Sequence, residues 1–351
     1  MGSFFVGAGN EESDTVDHLA LDIGGANIKL ADGRGMSRSV PFALWRHPAR
    51  LAETLAELLR EVPDSTRLTL TMTGELADCF ETKRHGVRAI VSAVGEAAGA
   101  REMRVFTTAG QLIKADEAME NPLPAAAANW LALATWAGRH APQGPALLLD
   151  VGSTTCDVIP LVDGRPAATG LTDTERLLSG ELVYTGVRRS PVCAVAATLP
   201  HGGRECPVAQ ELFATSGDAH VILGNLPESE SGAHTADGRP ATRSAARDRL
   251  ARCICADRET FSEDDAGEAA QAIARKQLAM ICAATEKVVS HLGATPERVV
   301  ISGEGEFLAR RVVERVAPAA ALVSLRERLG PEVSQCAAAH ALAVLAREDF
   351  E

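Results

Sequence analysis

Two aspartates define the chemistry open to this sequence. Asp22 begins "DIGGANIKLADGRG" and Asp150 begins "DVGSTTCDVIPLVDGRP"; each is followed by a glycine two residues later and, further on, by an Asp-Gly-Arg corner at 32–34 and 163–165. Gly24 and Gly25 can take φ > 0 and let backbone amides approach an anion closely. Gly152, with the hydroxyls of Ser153, Thr154 and Thr155, offers one flexible turn and three further hydrogen-bonding groups. Carboxylates repel phosphate, so Asp22 and Asp150 suit another role: they are expected to hold Mg²⁺, directly or through water, with the metal bridging to phosphate. One such cradle could be an ordinary hairpin. Two in one chain suggest a clamp around a single metal–diphosphate unit.

Each cradle reads as strand, glycine turn, strand. After the first, "LAETLAELLREV" from Leu51 places apolar residues at helical spacing, and "RLTLTMTGELADCF" starts as an alternating strand that turns at Thr73-Gly74. "GVRAIVSAVGEAAG" predicts a helix, "MRVFTT" a strand, and "AAAANWLALATWAGRH" a small-residue helix after Pro124. "PQG" at 142–144 reads as a linker. Beyond the second cradle, "TDTERLLSGELVYTGVRRSPV" mixes elements, and 225–244 is polar, Gly/Pro-rich and aperiodic, which predicts an exposed loop. A long helix from about Ala266 leads to the strand "RVVISGEG", a helix from Glu306 and an Ala-rich terminal helix, "SQCAAAHALAVLARE", suited to close packing against 125–134. The expected architecture is α/β: two similar domains facing across a cleft, residues 17–143 plus 331–351 and residues 144–330, after a flexible tail over 1–16.

Composition limits the partners. A chain of 351 residues that is 46% hydrophobic can fill two cores. A formal net charge of −12, with no Lys/Arg patch interleaved with aromatics, argues against nucleic acid. No apolar run reaches the ~18 residues of a membrane span, and the absence of Lys or Arg before Lys29 does not match a secretory signal. Eight scattered cysteines without a C-x-x-C pair predict reduced thiols in a cytoplasmic protein; Cys253 and Cys255, two apart, read as structural rather than metal-binding. A homo-oligomer is left open.

Ser302-Gly303-Glu304-Gly305 follows a strand and precedes a helix, and adds Gly303 and Gly305 to the phosphate-handling set with Asn27 and Lys29. In this order, cradle, cradle, glycine turn, the chain resembles the actin, sugar kinase and Hsp70 ATPase superfamily, where the pieces are two phosphate motifs and an adenosine motif. That resemblance implies two ribonuclease H-like domains. Asn27 and Lys29 stand where kinases of the superfamily usually carry Thr or Ser and small residues, and no sugar-pocket signature is evident. "DIGGANIK", "TMTGELADCFETKRHGV", "DVGSTTCDVIPL", "TDTERLLSGELVYTGVRRSPV", "FATSGDAHVILG" and "CADRE" are together similar to the hydantoinase/oxoprolinase-related family linked to tetrahydromethanopterin-dependent one-carbon metabolism, from about Leu19 to about Leu345. This narrower resemblance implies a Mg²⁺-dependent transferase of methanofuran biosynthesis that needs no ATP. It would join an (aminomethylfuranyl)methyl diphosphate to the phenol oxygen of γ-glutamyltyramine, or a bacterial analogue, and release diphosphate. An ATP-dependent kinase or oxoprolinase-like amidohydrolase, and a non-catalytic sensor of a phosphorylated ligand, are the alternatives.

A phenol of ordinary pKa, about 10, calls for a general base at neutral pH. Glu75, Asp78 and Asp173 are candidates, and the sequence does not choose among them. Glu75 and Asp78, three apart, would share one face of a helix, with Lys83 further along. Arg176, Arg188 and Arg189 could pair with diphosphate or with a glutamyl carboxylate, or form surface salt bridges. Tyr184, the only tyrosine, could stack on an aromatic substrate or fill the core. Asp218 and His220 could ligate a second metal or orient a substrate amine, and Asp257 and Arg258 could form a buried ion pair or equally contact substrate. Thr73 and Asn129 complete the expected substrate-binding set.

Overall fold

A computed structural model describes residues 17–232 and 235–350. The expected tail over 1–16 lies outside the described residues.

The first sheet is built around β1 (His18–Ile23), whose six residues are all buried, as expected of a strand covered on both faces. β1 pairs antiparallel with β2 (Asn27–Ala31), which pairs antiparallel with β3 (Ser37–Pro41). On its other side β1 runs parallel to β4 (Arg67–Met72), followed by parallel β5 (Glu102–Phe106) and antiparallel β6 (Leu112–Lys114). α1 (Leu51–Arg60) and α2 (Lys83–Ala98) pack on each other and bury Leu55, Leu59, Val87, Ile90 and Val94 against this sheet. The Thr82 hydroxyl accepts the His85 amide and caps α2. α3 (Ala115–Glu120) follows at the edge.

The second sheet repeats the pattern. β7 (Pro145–Val151) pairs antiparallel with β8 (Cys156–Val162), and β8 turns through Asp163-Gly164, both at positive φ, into β9 (Arg165–Pro166). β10 (Leu182–Val183) lies on the far side of β8, and β7 runs parallel to β13 (Arg298–Ser302), itself parallel to β14 (Ala321–Ser324). The order β10-β8-β7-β13-β14 matches β3-β2-β1-β4-β5 of the first sheet. This is the duplicated, ribonuclease H-like α/β architecture that the superfamily resemblance implies.

Two helices lie between the sheets. α4 (Asn129–Ala137) carries Trp130, Leu133 and Ala137 against Leu148, Ile159 and Val300 of the second sheet. α13 (Ala337–Phe350) packs along β1 and β2 and also against α4, where Ala132, Leu342 and Ala343 share one cluster. Small side chains let the two helices approach closely, so the Ala-rich segments meet as expected. The boundary at 143/144 falls just before β7, although the core contacts of α4 reach into the second half. The terminal helix differs from its sequence reading: it breaks at Cys336 into α12 (Pro331–Gln335) and α13.

α5 (Asp173–Ser179), α6 (Val192–Val195), the hairpin β11 (Thr198–His201)–β12 (Arg204–Pro207), α7 (Ser216–Ile222) and α8 (Arg243–Arg252) are inserted between β8 and the 30-residue α9 (Glu263–Leu292). α9 starts at a Ser262–Asp265 capping box and ends at left-handed Gly293. α10 (Glu306–Val316) and α11 (Leu325–Leu329) complete the set. Among the described residues of the 225–244 segment, Ser229 bridges Ala241, and the Asp237 carboxylate accepts from Arg249 at 3.0 Å. No helix among the described residues is long and apolar enough to cross a membrane.

Candidate active site

The duplication brings both cradles to one cleft. In each tip the first glycine amide donates to the carbonyl three residues on: Gly24 to Asn27 and Gly152 to Thr155, both at 2.9 Å. Gly24, Gly25 and Gly152 all lack positive φ, in contrast to the conformational freedom expected of them. Gly303 is the glycine that the geometry requires. Its φ is +88°, and a Cβ there would lie 2.4 Å from the Val151 carbonyl oxygen and 2.8 Å from Asp150 Oδ1. Gly305 is needed for packing against Val151 and Val187.

Asn27, Lys29, Asp150, Gly152, Ser153, Arg188, Gly303 and Glu304 line one cavity together with Ser334 and Gln335 from α12. Asp22 is 3% exposed. Its Oδ2 lies 3.7 Å from Lys29 Nζ, whereas Oδ1 has no partner among the described residues. Burial raises the Asp22 pKa, against the opposing pull of Lys29 and of the Asn129 amide. Burial works against the Lys29 ammonium too, but Asp22 and Asp150 outweigh it and hold its pKa above the ordinary lysine value. Asp150 is pushed to about 6 by burial and by Asp157; the Ser302 hydroxyl, donating at 2.5 Å, and Lys29 oppose the rise.

Behind the first tip, the Thr73 and Gly74 amides both donate to the Ile23 carbonyl, so the turn after β4 packs directly on the cradle. Glu75 follows and is 1% exposed, and neither carboxylate oxygen has a hydrogen-bond partner among the described residues. Burial and neighbouring Asp173 push its pKa to about 7, against the opposing influence of backbone amides and Lys83. Lys83 meets Asp173 at 3.2 Å, joining the N-terminus of α2 to that of α5 across the domains. Residues 74–80 fold as turns, not as the helix on which Glu75 and Asp78 would share a face, and Asp78 is exposed.

The profile of the hydantoinase/oxoprolinase family matches residues 67–348. The chain belongs to the hydantoinase/oxoprolinase family. A relative from Methanocaldococcus jannaschii, named (4-{4-[2-(gamma-L-glutamylamino)ethyl]phenoxymethyl}furan-2-yl)methanamine synthase, is 31% identical over 95% of this chain and 98% of its own length. A relative of the same name from Methanococcus vannielii is 29% identical over 58% of this chain and 91% of its own. Among solved structures, an archaeal actin homologue, 14% identical, covers 95% of this chain and 99% of its own with a TM-score of 0.46.

Within this family member, several expected ligands have other duties. Arg176 is 2% exposed; it donates to Asp157 at 2.5 Å and to the Glu181 carbonyl, and stacks 4.4 Å from the Trp130 ring centroid. Its Nη2 neutralises the half-buried Asp157 carboxylate and the whole side chain is enclosed, in contrast to the substrate-binding role expected of it. Asp218 caps α7 by accepting the Thr215 amide and is paired with buried Arg249 at 2.6 Å, so it is structural as well. His220 is held by Gln277 and Asn225. Arg188 stays in the cavity, with Nε and Nη2 bound by Glu304 at 2.5–2.9 Å. Thr73 and Tyr184 are exposed, and Tyr184, at 67%, is no core residue. Thr154 and Thr155 are half-buried at the second tip, outside the lining of the cavity. All eight cysteines are free thiols.

Asp157, Ser302 and Glu304 were missed as members of the constellation. A signal for Asp157 exists in the chain: Lys29 lies seven residues after Asp22 (29 − 22) and Asp157 seven after Asp150 (157 − 150). The strand registers pair Asp22 with Lys29 and Asp150 with Asp157.

Proposed function

We propose that the protein is a transferase that forms the phenoxymethylfuran ether of a methanofuran-type cofactor. The observation that carries this reading is the 31% identity, spanning nearly the full length of both chains, to a synthase whose name describes such an ether. Cutting that product at the ether oxygen leaves a phenol, γ-glutamyltyramine, and a furfuryl-type carbon that needs a leaving group. Diphosphate is the leaving group for which a two-cradle cleft is suited. In the proposed step the phenol oxygen bonds to the furan CH₂, the CH₂–O bond to diphosphate breaks, its electron pair leaves with diphosphate, and the phenolic proton passes to a base.

The residues fit Mg²⁺. The orphaned buried oxygen of Asp22 and the raised Asp150 carboxylate are hard oxygen donors that a cation would satisfy. Among the described residues no three His, Cys, Asp or Glu side chains form a cage. Mg²⁺ needs none, since it keeps waters and substrate phosphates as ligands. Asp22 and Asp150 would hold it, and it would supply charge neutralisation for the departing diphosphate. Lys29 stands between these carboxylates as a fixed positive charge in the cavity. The Ser153 amide and hydroxyl, which line the cavity, add neutral donors. Of the candidate bases we favour Glu75, whose burial places its pKa near neutrality, where a base works best.

The test is to incubate the pure protein with Mg²⁺, the furan diphosphate and γ-glutamyltyramine and to follow diphosphate and the ether by mass, with ATP alone as control. Equimolar ether and diphosphate are expected. ADP formation stimulated by a small-molecule substrate, with no ether, would support a kinase-like enzyme instead.

A further inference from the structure

Above the cleft, each domain sends one residue over the tip of its cradle from an equivalent place. In the first domain the Leu44 amide donates to the Gly25 carbonyl at 3.0 Å, which fixes the next residue, Trp45. In the second, the amides of Arg188 and Arg189 donate to the Ser153 carbonyl at 3.0 and 3.1 Å. Gly25 and Ser153 each stand three residues beyond the cradle aspartate, so Trp45 and Arg189 correspond across the duplication. They meet: the Arg189 guanidinium carbon lies 4.6 Å from the Trp45 ring centroid.

Arg189 differs from the arginine before it. Arg188 is neutralised by Glu304, whereas Arg189 is half-buried with no carboxylate or carbonyl partner among the described residues. Burial lowers its pKa, and only nearby Tyr184 opposes the shift. A guanidinium laid on an indole face keeps its edge donors free for a bidentate anion. Arg189 is absent from the cavity lining that contains Lys29 and Arg188, so an anion at Arg189 would sit at the rim, apart from one held between the cradles. Tyr184, largely exposed, is near enough to act on the Arg189 charge and offers a second aromatic surface.

We infer that Trp45 and Arg189 form the acceptor subsite, with Arg189 pairing the carboxylate of the substrate's glutamyl group and the Trp45–Tyr184 surface receiving its aromatic ring. The inference rests on the proposed ether-forming reaction. It assigns the selectivity for a glutamylated amine over the bare amine to one arginine.

Calorimetric titration of the full chain with γ-glutamyltyramine, tyramine and inorganic diphosphate tests it, with thermal melts verifying that each variant is folded. The wild type is expected to bind γ-glutamyltyramine at least about tenfold more tightly than tyramine, in line with a charge-assisted bidentate pair. Arg189→Gln should bind the two alike, Arg189→Lys should keep part of the preference, and Trp45→Ala should weaken both. Diphosphate affinity should not change in Arg189→Gln. A selectivity left intact in Arg189→Gln, a loss confined to diphosphate, or a wild type that binds neither amine would overturn the subsite. Ether formation by the wild type, measured separately, distinguishes that outcome from a failure of the proposed reaction: ether made with selectivity unchanged in the variant sinks the subsite alone.

Discussion

The two domains place the same backbone around different side chains. Asp22 faces Lys29 across the first hairpin, and Asp150 faces Asp157 across the second. After β4 and β13, Glu75 and Glu306 occupy matching positions, each one residue past a glycine, Gly74 or Gly305, whose amide donates to Ile23 or Val151. Glu306 is a satisfied buried carboxylate: it accepts from the Ser324 and Ser334 hydroxyls and from the Arg326 amide. Glu75, equally buried, has no such side-chain donor among the described residues. A buried carboxylate left without the hydroxyl donors that the equivalent position supplies is what the proposed base role asks of the first domain's copy. The second cradle shows the reverse division, since its extra carboxylate is neutralised by Arg176 and serves structure.

The largest expected effect falls on that neutralisation. Arg176→Leu leaves the half-buried Asp157 charge unpaired and should cost about 3–5 kcal/mol in urea denaturation at pH 7. Adding Asp157→Asn should recover much of the loss, and a single variant as stable as the wild type would break the contrast between the cradles.

The glutamates should respond in opposite directions. Glu75 has a folded pKa of about 7, above its ordinary 4.5. Its protonated form is the one that folding favours, so stability falls as pH rises from about 4.5 through about 7 and stays reduced above. Glu75→Gln should therefore stabilise the protein at pH 8 by about 3 kcal/mol and hardly at all near pH 4.5, while slowing ether formation. Glu306→Gln should destabilise by about 1–3 kcal/mol by breaking its donor set. Equal responses of the two variants at pH 8 would remove the distinction. If Glu75 is the base, the acid limb of the rate profile, centred near pH 7, should disappear in Glu75→Gln.

A smaller effect is expected at Lys29. Lys29→Met strands Asp22 and should cost about 2 kcal/mol at pH 8, with the deficit shrinking on acidification as Asp22 takes up a proton. The smallest should come from Gly24→Ala, about 1 kcal/mol or less, because φ there is not positive and the nearest atom to a Cβ is the Asn27 carbonyl oxygen at 3.2 Å. Gly303→Ala, strained in φ and overlapping Val151, should cost clearly more in the same melts.

Much of this contrast lay within local sequence. The cradle hairpins, α1, α2, α9 and the glycine turn after β13 follow from apolar periodicity and turn residues, signals confined to a few neighbours. The site was less legible because its key properties arise from packing. The cross-strand pairs depend on hairpin register, the isolation of Glu75 depends on what α2 and α4 bring near it, and the Trp45–Arg189 contact joins residues from different domains. Arg176 and Asp218 were misread for the same reason: a charged residue in a motif looks alike in sequence whether it meets a ligand or a buried partner.

The most direct test of the cleft as a metal–diphosphate site is calorimetric titration of inorganic diphosphate with and without Mg²⁺. One site per chain is expected, dependent on Mg²⁺ and weakened at least about tenfold in Asp22→Asn and in Asp150→Asn. Binding that ignores Mg²⁺, or that survives intact in both variants, would contradict the account.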